Sequence, residues 1–153
     1  MREIAARQVA ETVSELCVRA NTVLPDDVKA AICRARETEP SPVGAAILGD
    51  LKENYEFAQA RALPICQDTG MAVVFVDWGQ DCHLTGGALE DAVNAGVERG
   101  YVDGRLRLSV VGDPLRRVNT NTNTPAVVHL RMVPGDEVHI TVAPKGFGSE
   151  NMS

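Results

Sequence analysis

Five consecutive positions, Cys66-Gln67-Asp68-Thr69-Gly70, set a thiol, an amide, a carboxylate, a hydroxyl and a turn-permitting glycine side by side. A thiolate ligates metals or attacks electrophiles, a carboxylate moves protons, and an amide and a hydroxyl orient a polar ligand. Pro64 just upstream disfavours helix at Leu63, and the apolar run Met71–Val76 follows at once, so the group sits on a loop between a helix and a strand. Loops held by rigid elements are where binding and catalysis concentrate.

Three further stretches carry chemistry. Arg99, seven residues beyond Ala92, projects from nearly the inner face of a helix that opens after Gly86-Gly87; if inward, it needs an anion, because a buried unpaired guanidinium is costly. On the surface it would complement the helix dipole instead. The segment Ala143-Pro144-Lys145-Gly146-Phe147-Gly148-Ser149-Glu150-Asn151 is a glycine-rich turn whose amides and Lys145 could cradle a carboxylate. It is not a Walker A loop, since its lysine precedes the glycines. The run Asn119-Thr120-Asn121-Thr122-Asn123-Thr124 alternates amide and hydroxyl side chains, which either bond to nearby backbone or face a small polar ligand.

Two metal readings are weaker. His129, Arg131, Glu137 and His139 fall on one face of a predicted pair of strands, where Arg131 would repel a cation, so a plain polar face is expected. Cys66 with Cys82 and His83 lacks the paired-cysteine spacing of a zinc or redox site. Cys17 falls on an apolar helical stripe and reads as a core thiol, and Cys33 packs at the edge of another.

The elements that must position these groups follow from periodicity. Ala5, Val9, Val13, Leu16 and Ala20 predict a helix from about Arg2 to Asn21. Pro25-Asp26-Asp27 opens a second, with Val28, Ala31, Ile32 and Ala35 as its stripe. Ser41-Pro42 caps a third, with Val43, Ile47, Leu51, Tyr55 and Ala58 on one face. The continuously apolar Met71–Val76 predicts a strand buried on both faces. Cys82-His83-Leu84 reads as a short strand, Leu89, Ala92, Val93 and Gly96 as a helix face, and Arg105 to Val111 as an alternating strand. Around Pro134-Gly135-Asp136 an antiparallel hairpin would set Val128 opposite Val142, Leu130 opposite Ile140 and Met132 opposite Val138.

The expected fold is therefore α/β: an N-terminal three-helix region over 1–62, then an α/β region over 63–153 with a mixed β-sheet, a flanking helix and a C-terminal antiparallel hairpin. At 153 residues it suits one domain. Fifteen Lys and Arg against 21 Asp and Glu, net −6, leave no basic stripe for nucleic acid. No apolar run nears the roughly 20 residues that span a bilayer, and the charged start Met1-Arg2-Glu3 is not a signal peptide, so a cytoplasmic location without membrane attachment is expected.

Three motifs in order, Ile65-Cys66-Gln67-Asp68-Thr69-Gly70-Met71-Ala72-Val73, Asn119 to Ala126, and Ala143 to Asn151, closely resemble the α subunit of the iron–sulfur (class I) fumarate hydratases and the related L-tartrate dehydratases. The resemblance spans essentially the whole chain. It implies a hydro-lyase for the reversible hydration of fumarate to malate, or dehydration of tartrate or another hydroxy-dicarboxylate. It also implies a [4Fe–4S] cluster held by three cysteines, with one iron open to substrate. Cys66 becomes the first ligand, Asp68 part of the proton-transfer apparatus, and Gln67, Arg99, Lys145, Gly146 and Asn151 the substrate pocket. The family implies a separate β subunit as partner and pairing of α subunits. Its α subunits run on past the Gly-Ser-Glu-Asn loop, where the other cluster cysteines lie; the expectation is an N-terminal part that holds no intact cluster alone. The rival from another class is a non-catalytic module that binds carboxylates or a partner.

Overall fold

The structure, a computed structural model, describes residues 1–148. Its elements are β1 (Arg2–Ala5), α1 (Ala6–Thr22), α2 (Asp26–Thr38), α3 (Pro42–Arg61), β2 (Met71–Gly79), β3 (Cys82–Thr85), α4 (Leu89–Asp103), β4 (Val127–Val133) and β5 (Val138–Lys145). The α/β class with a mixed sheet is as expected. By contacts the chain gathers into two units, one of Met1–Ala20 with the chain from Asp68 onward, the other of Asn21–Gln67. This grouping cuts differently from regions 1–62 and 63–153, because the apolar stripe of α1 packs with β2 and α4.

In the first unit, β2 is the middle strand of the order β4-β2-β5, parallel to β4 and antiparallel to β5. The expected direct hairpin is corrected here. β4 and β5 do run in opposite directions, but β2 lies between them. The rows nevertheless keep the predicted partners: Val128 and Val142 flank Val74, Leu130 and Ile140 flank Val76, and Met132 and Val138 flank Trp78. Side-chain alternation identifies a row and its face; it does not exclude a strand inserted through the middle. The connection between β4 and β5 crosses the end of β2, where the Gly79 amide donates to the Glu137 carbonyl. A Cβ at Gly79 would stand 2.5 Å from the Gly135 carbonyl oxygen, so the crossing requires glycine.

A second correction concerns β2, expected to be buried on both faces. Ala72, Val74 and Val76 are fully buried and Trp78 nearly so, whereas Phe75 on the opposite face is 45% exposed. The open face carries Phe75 stacked on His129 and a two-pronged pair from Arg131 to Asp77 at 2.9 and 2.6 Å. His139 lies beside Glu137 on the same face, the plain polar surface expected for these residues.

The buried face meets Val9, Val13 and Cys17 of α1 and Ala92, Val93, Val97 and Tyr101 of α4. Burial pushes the Cys17 thiol up to about 12, as befits a core thiol. Each fully buried valine contributes on the order of 1.5–3 kcal/mol, which makes this sandwich the energetic centre of the unit. Gly96 and Gly100 let the two helices approach: a Cβ at Gly96 would come within 2.6 Å of the Ala10 carbonyl oxygen.

α1 starts at Ala6, later than expected, because Arg2–Ala5 is a strand parallel to β3. The Gln8 side chain reaches back to accept from the Ala5 amide at 3.0 Å, half of a capping box that fixes the helix start. Residues 105–110, expected as a strand, form none; only Val111 makes a bridge, to Asn119.

In the second unit, α3 is capped as expected by Ser41, which accepts from Gly44, and it ends at a left-handed Ala62. Its predicted stripe is only partly covered. Tyr55 and Ala58 are buried, while Val43, Ile47 and Leu51 are 69%, 54% and 46% exposed. α2 buries no residue, and Cys33 lies half-buried with its sulfur 3.7 Å from the Tyr55 hydroxyl.

The α1–α4 crossing yields a test. Gly96→Ala raises helix propensity by roughly 1 kcal/mol yet overpacks the crossing at a cost in the upper part of about 1–3 kcal/mol, so the net expectation is a loss of about 1–2 kcal/mol in denaturant titration. Equal or greater stability would show that the helices can separate without cost.

Candidate functional site

Cys66 and Gln67 close the helical unit, and Asp68, Thr69 and Gly70 resume the α/β unit. Within the helical unit, Ile65 is pinned on both sides: its amide donates to the Asn21 carbonyl, and its carbonyl accepts from Asn54 Nδ2, each at 2.9 Å. Cys66 follows this anchor, exposed, in no disulfide, with its sulfur 3.6 Å from Gln67 Oε1. Gln67 is exposed as well.

Within the α/β unit the Asp68 carboxylate is the hub. Oδ2 accepts from the amides of Phe147 at 2.8 Å and Gly148 at 3.2 Å, and Oδ1 accepts from Gly70 at 3.1 Å. The Phe147 amide above all, then those of Gly70 and Gly148 with the positive charge of Arg107, hold the carboxyl below its ordinary 3.8 against the opposing effect of burial. The glycine-rich turn expected to cradle a ligand's carboxylate thus gives two of its amides to the chain's own.

Two glycines permit this approach. Gly70 has φ +64, and a Cβ there would fall 2.2 Å from the Lys145 carbonyl oxygen. At Gly146 a Cβ would stand 3.1 Å from Asp68 Oδ2. Lys145 itself is exposed, with Nζ over the Phe147 ring at 5.0 Å and 3.4 Å from the Gly146 carbonyl. Asn151, predicted to line the same pocket, lies outside the described residues.

Arg99 does not join this group. Its side chain is 64% exposed on α4, with Nε 3.9 Å from Asp103, so the inward orientation is corrected. Arg107 takes its place: it is exposed, its charge acts on Asp68, and its backbone is locked to Thr69. Thr69 Oγ1 accepts from the Arg107 amide at 2.8 Å and donates to the Arg107 carbonyl at 3.2 Å.

The Asn/Thr run shows why residues 105–110 need no partner strand. Asn119 Nδ2 donates to the Leu108 carbonyl, Asn123 Oδ1 accepts from Ser109, and the Thr120 amide and hydroxyl donate to the Val110 carbonyl. Of the two possibilities for this run, the backbone-bonding one holds for these residues. Asn123, fully buried, also donates to the Gly70 carbonyl at 3.1 Å, and the buried Tyr101 hydroxyl donates to the Thr69 carbonyl at 2.8 Å. Sequence reasoning missed Arg107, Tyr101 and Asn123 as site residues. For Arg107 the signal was its alternation with the core residues Leu106 and Leu108; for Tyr101 it was helical spacing from Val93 and Val97.

Among the described residues, no three His, Cys, Asp or Glu side chains converge to hold a metal ion. Cys17 is sealed in the core, and Cys33 and Cys82 are half-buried on other elements, so Cys66 is the one exposed thiol among the four.

The amino-acid sequence that builds this sheet and its loop is matched by those of known proteins. The chain belongs to the fumarate hydratase family: the family described as fumarate hydratase (Fumerase) matches residues 10–153. It is similar to a chain of Methanocaldococcus jannaschii assigned as an L(+)-tartrate dehydratase alpha subunit, 33% identical over 95% of this chain and 53% of that one. It is 30% identical to the L(+)-tartrate dehydratase subunit alpha of Escherichia coli over 96% of this chain and 49% of that subunit. It is also 41% identical to the anaerobic class I fumarate hydratase of Escherichia coli over 64% of this chain, but only 18% of that protein. The chain thus spans about half the length of the tartrate dehydratase subunits it matches and about a fifth of that fumarate hydratase.

The lowered carboxyl gives a pH prediction. Asp68 is depressed in the folded state, so its stabilisation is present above the ordinary 3.8 and is lost as pH falls through the lower folded value. Wild type should exceed Asp68→Asn in stability at pH 7, and the gap should close on acidification below about 3.8. A gap independent of pH would contradict the ionised clasp.

Proposed function

We propose that this chain is the dicarboxylate-binding part of a hydro-lyase that adds water to fumarate to give malate, reversibly. The observation that carries the proposal is the placing of the Arg107 backbone by the Thr69 hydroxyl next to Asp68, on which the Arg107 charge acts, in a chain of the fumarate hydratase family. Arg107 offers a planar, permanently charged fork for a carboxylate. Asp68, held ionised, is the candidate to move the proton on the carbon next to a carboxylate; Gln67, Lys145, Gly146 and Asn151 are the further candidates to contact substrate.

A base stabilised by three amides is weak, so proton removal needs a substrate acidified by another group. The [4Fe–4S] cluster implied by the resemblance supplies that Lewis acidity when bound. Cys66 would hold one of its irons, and the described residues provide no second thiol on the same loop. The assembly proposed with it contains a β subunit and paired α subunits, in the cytoplasm. A tartrate dehydratase is the second reading, favoured by one observation: the matches that cover 95% and 96% of this chain are tartrate dehydratase chains.

The test is anaerobic reconstitution of the intact protein carrying this chain, with iron, sulfide and its partner subunit, followed by assays with fumarate and with L-tartrate. Fumarate hydration is expected to exceed tartrate dehydration; the reverse favours the second reading. Turnover of neither, with binding of dicarboxylates retained, would leave the non-catalytic module. Arg107→Ala should raise KM by about 10- to 100-fold, the loss of about 1.4–2.8 kcal/mol of binding, while Arg99→Ala leaves it within about twofold. Equal effects at the two positions would remove Arg107 from the site.

A further inference from the structure

We infer that Thr69 is a positioning residue for the carboxylate-binding arginine, acting through its hydroxyl; this rests on the proposed function. Thr69 is 2% exposed, so it reaches no substrate. Its single oxygen nevertheless does the work of a β-bridge, accepting from the Arg107 amide and donating to the Arg107 carbonyl. This pair of hydrogen bonds fixes where the Arg107 backbone lies relative to Asp68, the residue before Thr69.

The arrangement is built to stay fixed. The Thr69 carbonyl is held by the buried Tyr101 hydroxyl, and the Gly70 carbonyl by the fully buried Asn123, whose other end holds the Ser109 amide. Among the described residues the segment carrying Arg107 has no partner strand, and it follows Arg105, itself in a left-handed conformation at φ +53. Backbone bonds hold its ends, from the Leu106 amide to the Tyr101 carbonyl and from the Thr120 amide to the Val110 carbonyl, and side chains hold its middle, with Thr69 the one at Arg107 itself. An interaction that places a carboxylate-binding fork acts mainly on substrate affinity and alignment, and it does so only while the fork is present.

The experiment is a kinetic double-mutant cycle on the intact enzyme: wild type, Thr69→Val, Arg107→Ala and the double variant, with Thr69→Ser as the conservative control. Thr69→Val keeps the shape and removes the hydroxyl. Expected are a rise in KM of about tenfold for Thr69→Val, rescue to within about threefold by Thr69→Ser, and almost no further effect of Thr69→Val once Arg107 is alanine. Thr69→Ala, measured in parallel and normalised to folded enzyme by its unfolding transition, gives the same comparison should the valine variant fold poorly.

If Thr69 merely stabilised the fold, the folded fraction of either variant would show wild-type KM, or its effect would multiply with that of Arg107→Ala; each result overturns the inference. A wild-type enzyme that turns over no dicarboxylate overturns the proposed function instead, and the two failures are thereby distinct.

Discussion

One carboxylate holds the α/β unit's functional end together. Asp68 stands just before the central strand, and two of the three amides it binds belong to the turn just after β5, the strand antiparallel to β2. The sheet brings these two ends level, pairing Met71 with Lys145. Hydrogen bonds from backbone amides to an ionised carboxylate are short and strong, and a turn that aims its amides at one point suits such an acceptor. Each satisfies the other. Gly70 is the steric condition for this exchange, since a Cβ there would stand where the backbones meet, and at Gly146 a Cβ would crowd the carboxylate more mildly.

The sandwich of β2 between its flanking strands and helices makes that exchange rigid. Val74, Val76, Val93 and Val97 are fully buried at its centre, and Tyr101 carries the same packing out to the loop, ending on the Thr69 carbonyl. Packing thus passes from an apolar core to a hydrogen bond on a functional loop within one side chain. Asn123 does the same from the other side with an amide. The outcome is that the backbone beside the carboxylate and the arginine is held by the buried side chains of Thr69, Tyr101 and Asn123.

Much of this was legible in the sequence. The loop at Cys66, the helices from Pro25 and Ser41, the apolar rows of β4 and β5 and the core role of Cys17 follow from spacing and residue type, because each is a local or single-face property. What was not legible depends on non-local insertion. The rows of Val128 with Val142 and Leu130 with Ile140 are correct, but alternation is silent on whether the intervening row belongs to a third strand. Arg99 and Arg107 are both basic residues near apolar partners; only the chain path, set by the Asn/Thr run bonding to residues 108–110, decides which one reaches the loop. The exposure of Val43, Ile47 and Leu51 on α3 likewise departs from a pattern that local periodicity had assigned to the interior.

The central claim is that the Asp68 carboxylate binds the 146–148 turn to the start of β2. Amide hydrogen exchange at Phe147 tests it most directly, in wild type and in Asp68→Ala. The account predicts a protected Phe147 amide that loses its protection in the variant, while the amides of Val74 and Val76 keep theirs. An unprotected Phe147 in wild type, or unchanged protection in the variant, would contradict it.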